Sequence, residues 1–400
     1  MKNYIAQSTK SNPKEAVLEL KEKFNSCCSA DNSDCCNSDA KNDANSDAKN
    51  ITAKNVKAIT FFATSNYEPS ELIAAMNETF PNIQVWGCTT CGEIISGCVT
   101  VNSIVAMAFT DEIIDDIKIE VVTDLKNNTS LLPTINAFEE YYQTPFAELD
   151  NKKYFGLIYI DGYSKKEEAF LDDVGNHTNV VFVGGSAGDD NKFIKTIIYA
   201  NGKHYENSAV LALVKSKVKF GFEKTQSFIP TEHTVTVTKA DEANRIIYEL
   251  DNKPAAEVYA NLLNFKAEEV VWENHFVKYT FGLIADDKQP YIRSIHQVVE
   301  NNALTLFCSV PKGVELKIME AADIVVDTRK FLEEIKKKYE SISGILLFDC
   351  MGRHWALMNN NQVEEYATLF ADIPTVGFKT CGEAFIGHIN HTAVMLVFGR

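Results

Sequence analysis

Thr90-Cys91-Gly92-Glu93, followed by Gly97, recurs near the end of the chain as Thr380-Cys381-Gly382-Glu383, followed by Gly387. Each copy has another glycine three residues upstream, Gly87 and Gly377, and each leads into an apolar run, Ser103 to Phe109 and Ala393 to Phe398. The likeness extends upstream. Ala58 to Ala63 is short and apolar and reads as a buried strand. A polar loop, 64–70, follows it, then a helical stretch, 71–80, stopped by Pro81. The second copy has a strand at 344–348, a longer loop at 349–361 and a helix at 363–370 that stops near Pro374. The unit is therefore strand, loop, helix, short strand, T-C-G-E turn, strand. Glycine suits such a turn because it tolerates positive φ and lets backbone or ligand approach closely. Turn geometry does not require the Thr, Cys and Glu. The pattern predicts an α+β or α/β fold of layered mixed β-sheets with flanking helices, in two related halves from an internal duplication.

A chain of 400 residues is long enough for two or more domains. Its net charge of −16, with no basic stripe, argues against a nucleic-acid or anionic-membrane surface. There is no apolar leader at the N-terminus and no run near the ~20 apolar residues of a membrane helix. The ten cysteines are not spaced like a secreted disulfide scaffold, so a reducing cytoplasm is the expected setting.

Residues 13–24 read as an amphipathic helix starting at Pro13. Residues 25–50 are low in complexity, repeating Asn-Ser-Asp-Ala-Lys-Asn at 37–42 and 45–50, and carry Cys27-Cys28 and Cys35-Cys36. Adjacent cysteines chelate one tetrahedral ion poorly, so a redox-labile insertion is the plainer reading. Strands are expected at 103–110, 117–123, 154–160, 179–183, 194–200 and 208–215, and helices at 131–143, 165–174, 240–250, 255–263 and 321–339. The turn Gly184-Gly185-Ser186-Ala187-Gly188-Asp189-Asp190 is not G-x-G-x-x-G. It is expected to join strands and to face the same cavity as the T-C-G-E turns; a plain hairpin is the alternative. A boundary near 218–240 divides the chain into 1–54, 55–220 and 221–400.

The chain resembles the FIST sensory proteins, in both their N-terminal and C-terminal regions. The resemblance rests on Gly87 to Glu93, Val183 to Asp189, Asn201-Gly202, Tyr248 to Ala255, Tyr291 to Ile295, Val310-Pro311-Lys312-Gly313, Cys350-Met351-Gly352-Arg353, Gly382-Glu383 and Asn390-His391-Thr392. It covers roughly 55–400; the segment 25–50 departs from the usual pattern. The resemblance implies a bacterial or archaeal ligand sensor, cytoplasmic and without enzymatic activity. Its subset of NosP-type proteins binds haem and reports nitric oxide to a separate histidine kinase or cyclic-di-GMP enzyme. With no output domain here, a signal must pass to a separate protein; the sequence is silent on whether the chain forms a homo-oligomer.

Site residues expected on these grounds are Thr90, Cys91, Gly92, Glu93, Gly184, Gly185, Cys350, Arg353, Thr380, Cys381, Gly382, Glu383 and Asn390 for the ligand, and His354 for haem iron. Asp349 to Trp355 is the densest cluster, at a strand end where α/β layers place ligands. There Arg353 suits a carboxylate or haem propionate, and Cys350 or Met351 can approach iron. His388 and His391 compete with His354; His296 and His275 are less favoured. A haem-free alternative is an amino-acid sensor, with Arg353 on the carboxylate and Glu383 on the amine. A second alternative is a thiol-dependent enzyme using Cys91 or Cys381 with Glu383 and His354.

Overall fold

The computed structural model describes residues 3–26, 55–127, 130–284 and 290–400. Apart from Asn25 and Ser26, the low-complexity insertion and its four cysteines lie outside the described residues.

The doubled unit occurs a third time. In the first copy the strand Val56–Ala63, helix Pro69–Thr79 and strand Gln84–Thr89 form a parallel crossover; a hairpin, Glu93–Ile95 and Cys98–Thr100, leads to a return strand, Ile104–Thr110, antiparallel to the first. The copy predicted at the C-terminus follows the same path through Ile342–Cys350, Thr375–Thr380, the hairpin Glu383–Phe385 and His388–Ile389, and Thr392–Gly399. Between them, Tyr154–Ile160, helix Glu167–His177, Phe182–Ser186, the hairpin Ile198–Ala200 and Lys203–Tyr205, and Ser208–Ser216 repeat it again.

Each unit also has an edge strand on its return strand: Tyr4–Ser8, Ile114–Thr123 and Lys219–Gln226. Helices Pro13–Ser26, Leu132–Tyr142 and Ile324–Lys338 precede the respective first strands. The N-terminal strand and helix are thus part of the first repeat rather than a separate segment. Lys219–Gln226 crosses the boundary expected at 220 and pairs with the C-terminal strand.

The repeats exchange arms in a ring. The first hairpin pairs with the third repeat's inner strand, with Ile94 opposite Gly377. The third pairs with the second, Ala384 opposite Gly184, and the second pairs with the first, Tyr199 opposite Gly87. Every six-stranded sheet is therefore completed by a neighbour's hairpin. Alternation sends successive side chains to opposite faces: Ala58 and Phe62 face a core shared by all three sheets, while Ile59, Phe61 and Ala63 face the first sheet's helices. At the centre, the register-equivalent rings of Phe62, Tyr159 and Phe348 meet, with centroids 5.3, 6.3 and 6.1 Å apart.

A fourth sheet is inserted between Gln226 and Ile324, with its own core around Val237, Tyr259, Phe281 and Ile318. Three expectations change here and nearby. The helix expected at 240–250 is the second arm of a hairpin, Ile246–Leu250 on Phe228–Asp241. The charge-and-threonine alternation at 231–238, read as a boundary, is the period of that half-exposed strand. The loop expected at 349–361 is largely a helix, Met351–Asn359, and its Gly352 lies under the His391 ring, where a Cβ would come within 2.4 Å.

Candidate functional site

The three turns meet on the pseudo-threefold axis. Cys91 N–H donates to the Lys379 carbonyl at 3.2 Å, Gly188 N–H to Thr89 at 3.0 Å and Cys381 N–H to Ser186 at 3.1 Å. Counted from Gly87, Gly184 and Gly377, these are the same donor and acceptor positions in each repeat. Gly188 and Asp190 therefore stand where the other turns carry Cys and Glu.

The T-C-G-E side chains pin the turns. Thr90 Oγ1 donates to Glu93 Oε1 at 2.5 Å, and Ser103 Oγ to Oε2 at 2.6 Å. Thr380 makes the same bond to Glu383, whose Oε2 accepts from Thr392 Oγ1 and from Thr392 N–H at 3.1 Å. Burial pushes the Glu93 carboxyl up to about 7 and that of Glu383 up to about 8. Each glutamate ties a turn to the start of its return strand, which leaves neither aimed at a ligand amine. Gly92 at φ 131° and Gly382 at φ 143° occupy backbone that a side chain would strain.

Beside this centre is a cavity of about 490 Å³ between the inserted sheet and the third repeat. Trp272, Phe276 and Phe307 come from the inserted sheet and Trp355 from the helix Met351–Asn359; Phe193 reaches in from the second repeat's turn. Of the expected ligand residues, Cys350, Thr380, Cys381 and Asn390 line it. Asn390 is 1% exposed, and its Oδ1 has no hydrogen-bond partner. Ser294 and His296 add polar atoms; Ser294 Oγ lies 3.0 Å from His391 Nε2. The His296 ring packs against Phe307 at 4.6 Å, and burial, then Lys165, pulls its imidazole below the ordinary value.

The other expected residues lie elsewhere. Arg353 is fully buried and satisfied within the protein. Its Nε donates to Asp349 Oδ1 at 2.8 Å, its terminal nitrogens reach Thr328 and Ser227, and its guanidinium lies 5.8 Å from the centroid of Tyr366. A ligand carboxylate would have to displace Asp349. His354 does not line the cavity; its Nε2 lies 3.4 Å from Lys379 Nζ, and burial, then Lys379, lowers it to about 3. Glu383 and His354 are thus engaged away from the Cys381 sulfur. Among the described residues, no three His, Cys, Asp or Glu side chains converge to hold a metal ion.

Two family patterns follow one another along this scaffold. The FIST N domain matches residues 57–253 and the FIST C domain matches 255–386. The chain is a member of the FIST family. An uncharacterized protein of Methanocaldococcus jannaschii is similar at 27% identity over 235 residues, covering 56% of this chain and 44% of the relative. FIST domains are associated with signal-transduction sensing. The seam between the two FIST patterns falls inside the inserted sheet, while the cavity is lined from both. No helix among the described residues of this FIST protein is long and apolar enough to cross a membrane.

Haem, implied by the resemblance, can be tested against these walls. The aromatic lining suits a flat macrocycle, and His296 is the imidazole that lines the cavity. His354 does not suit the role assigned to it. The lining contains no lysine or arginine, so propionates would find no cation there.

Proposed function

We propose that this FIST protein is a cytoplasmic sensor whose small ligand occupies the aromatic cavity between the inserted sheet and the T-C-G-E centre, and that it signals to a separate protein such as a histidine kinase. The observation that carries the proposal is the buried, unpartnered Oδ1 of Asn390, a residue that lines the cavity, because a native protein seldom leaves such an acceptor unmet. The ligand is largely apolar or aromatic and offers a hydrogen-bond donor. A free amino acid fits less well, since Arg353 and Glu383 are both engaged. A thermal-shift screen of small uncharged and aromatic compounds should yield one that raises the unfolding midpoint. Asn390→Leu should weaken that compound about tenfold, the value of one buried hydrogen bond. No stabilising compound, or undiminished binding to Asn390→Leu, would contradict the proposal.

The haem and nitric-oxide reading is retained through His296 rather than His354. Titration of the protein with haemin should give a shifted Soret band that His354→Ala leaves in place and His296→Ala changes. An unshifted band rejects haem; a band lost only in His354→Ala rejects the reassignment.

A further inference from the structure

We infer that Cys91 and Cys381, the repeated cysteines of the two T-C-G-E turns, form a redox-active dithiol that takes a small hydroperoxide as its oxidant. The ring of repeats brings these residues, far apart in sequence, to an Sγ–Sγ distance of 3.5 Å. The third turn makes room for them: a Cβ on Gly188 would lie 2.2 Å from Cys91 Sγ. That position is glycine because a sulfur occupies the space its side chain would need.

The two residues differ in exposure. Cys91 is 3% exposed, whereas Cys381 lines the cavity and is partly exposed, so a molecule the size of hydrogen peroxide reaches Cys381 first. The hydrogen bond with Cys91, then burial, holds the Cys381 thiol well above its ordinary value, so the pair rests as two thiols and reacts through a minor thiolate. The Cys381 sulfur attacks one peroxide oxygen; the O–O bond breaks, water leaves and a sulfenic acid forms. Cys91 Sγ then attacks the Cys381 sulfur, the S–O bond breaks and a second water carries away the remaining thiol proton. Two thiols and one hydrogen peroxide give one disulfide and two waters, a two-electron oxidation. The bond would link the first and third repeats at the cavity wall. This proposal does not depend on what the cavity binds.

The test uses the full chain, reduced, desalted and treated with hydrogen peroxide. It is then alkylated in denaturant and digested without reductant for mass spectrometry. The expected product is a crosslinked peptide pair containing Cys91 and Cys381, 2 Da lighter than the sum of its thiol forms and released by reductant. Cys91→Ser should leave Cys381 as a sulfenic acid that dimedone traps, and Cys381→Ser should leave Cys91 alkylated. Recovery of both cysteines as alkylated thiols, or a crosslink from Cys381 to Cys350 or to the cysteines at 27–36, would overturn the inference.

Discussion

Gly184→Ala is expected to lower the unfolding midpoint by roughly 4 °C, corresponding to about 3 kcal/mol in a chain of 400 residues. A Cβ there would lie 1.8 Å from the carbonyl oxygen of Ile158 on the adjoining parallel strand. That oxygen belongs to a sheet ladder and cannot swing aside as a flexible side chain would. Gly87 and Gly377 face the same contact, at 2.0 Å from Phe61 O and 1.9 Å from Leu347 O, so their alanine variants should be destabilised to a similar degree. Gly175 provides the control. It lies in the helix Glu167–His177, and nothing stands within 4 Å of the point a methyl group would occupy, so alanine there should stabilise by up to about 1 kcal/mol. Scanning calorimetry of the four variants tests the threefold reading directly. Equivalent losses at 87, 184 and 377 are expected; a Gly184→Ala midpoint equal to that of wild type would remove 154–216 from the repeat.

The second large effect is on pH dependence. Glu93 and Glu383 have ordinary values of 4.5 and folded values of about 7 and about 8. Between those limits the folded state holds protons that the unfolded state has released, so stability falls as pH rises. Burial raises Asp349 in the same direction. His354 and His391 act oppositely, lowered from 6.5 to about 3 chiefly by burial, so stability falls as pH drops below 6.5. The two effects offset each other between 4.5 and 6.5, which predicts a plateau there. Above 6.5 the carboxyl effect stands alone, and by pH 8 it should remove on the order of 3 kcal/mol. Glu383→Gln keeps the shape and the contacts with Thr380 and Thr392 but does not ionise, and should flatten more than half of that alkaline fall. Denaturant unfolding of wild type and variant from pH 5 to 9 reads the difference; parallel curves would mean that Glu383 is ionised throughout.

Much of this was legible in the T-C-G-E repeat. It gave the unit, its order of elements and the layered sheets. The third copy was hidden because its turn, Ala187 to Asp190, keeps none of Thr, Cys or Glu, and what survives is Gly184 against a neighbouring carbonyl. That constraint is visible only in the register of two strands. The 349–361 segment read as a loop because Cys350, Met351 and Gly352 lack a helical signature. Asp349 is the next-to-last residue of the strand Ile342–Cys350, just before the helix Met351–Asn359, and takes the charge of Arg353, which removes Arg353 from the ligand. Trp272, Ser294, His296 and Phe307 carry no mutual spacing in the sequence. They come together only because the inserted sheet folds over the third repeat, so sequence reading ranked His296 below His354.

The central claim is that the cavity beside the T-C-G-E centre is where this FIST protein takes its ligand. Two of its three tryptophans, Trp272 and Trp355, line that cavity with rings 6.1 Å apart, while Trp86 is buried in the shared core. The most direct measurement is a fluorescence titration with the compound that raises the unfolding midpoint, in wild type and in Trp272→Phe/Trp355→Phe. The account predicts a saturable change in indole emission in wild type that disappears in the double variant, whose remaining Trp86 emission stays constant. A compound that stabilises both proteins while leaving the wild-type emission unchanged would place the ligand elsewhere and contradict the account.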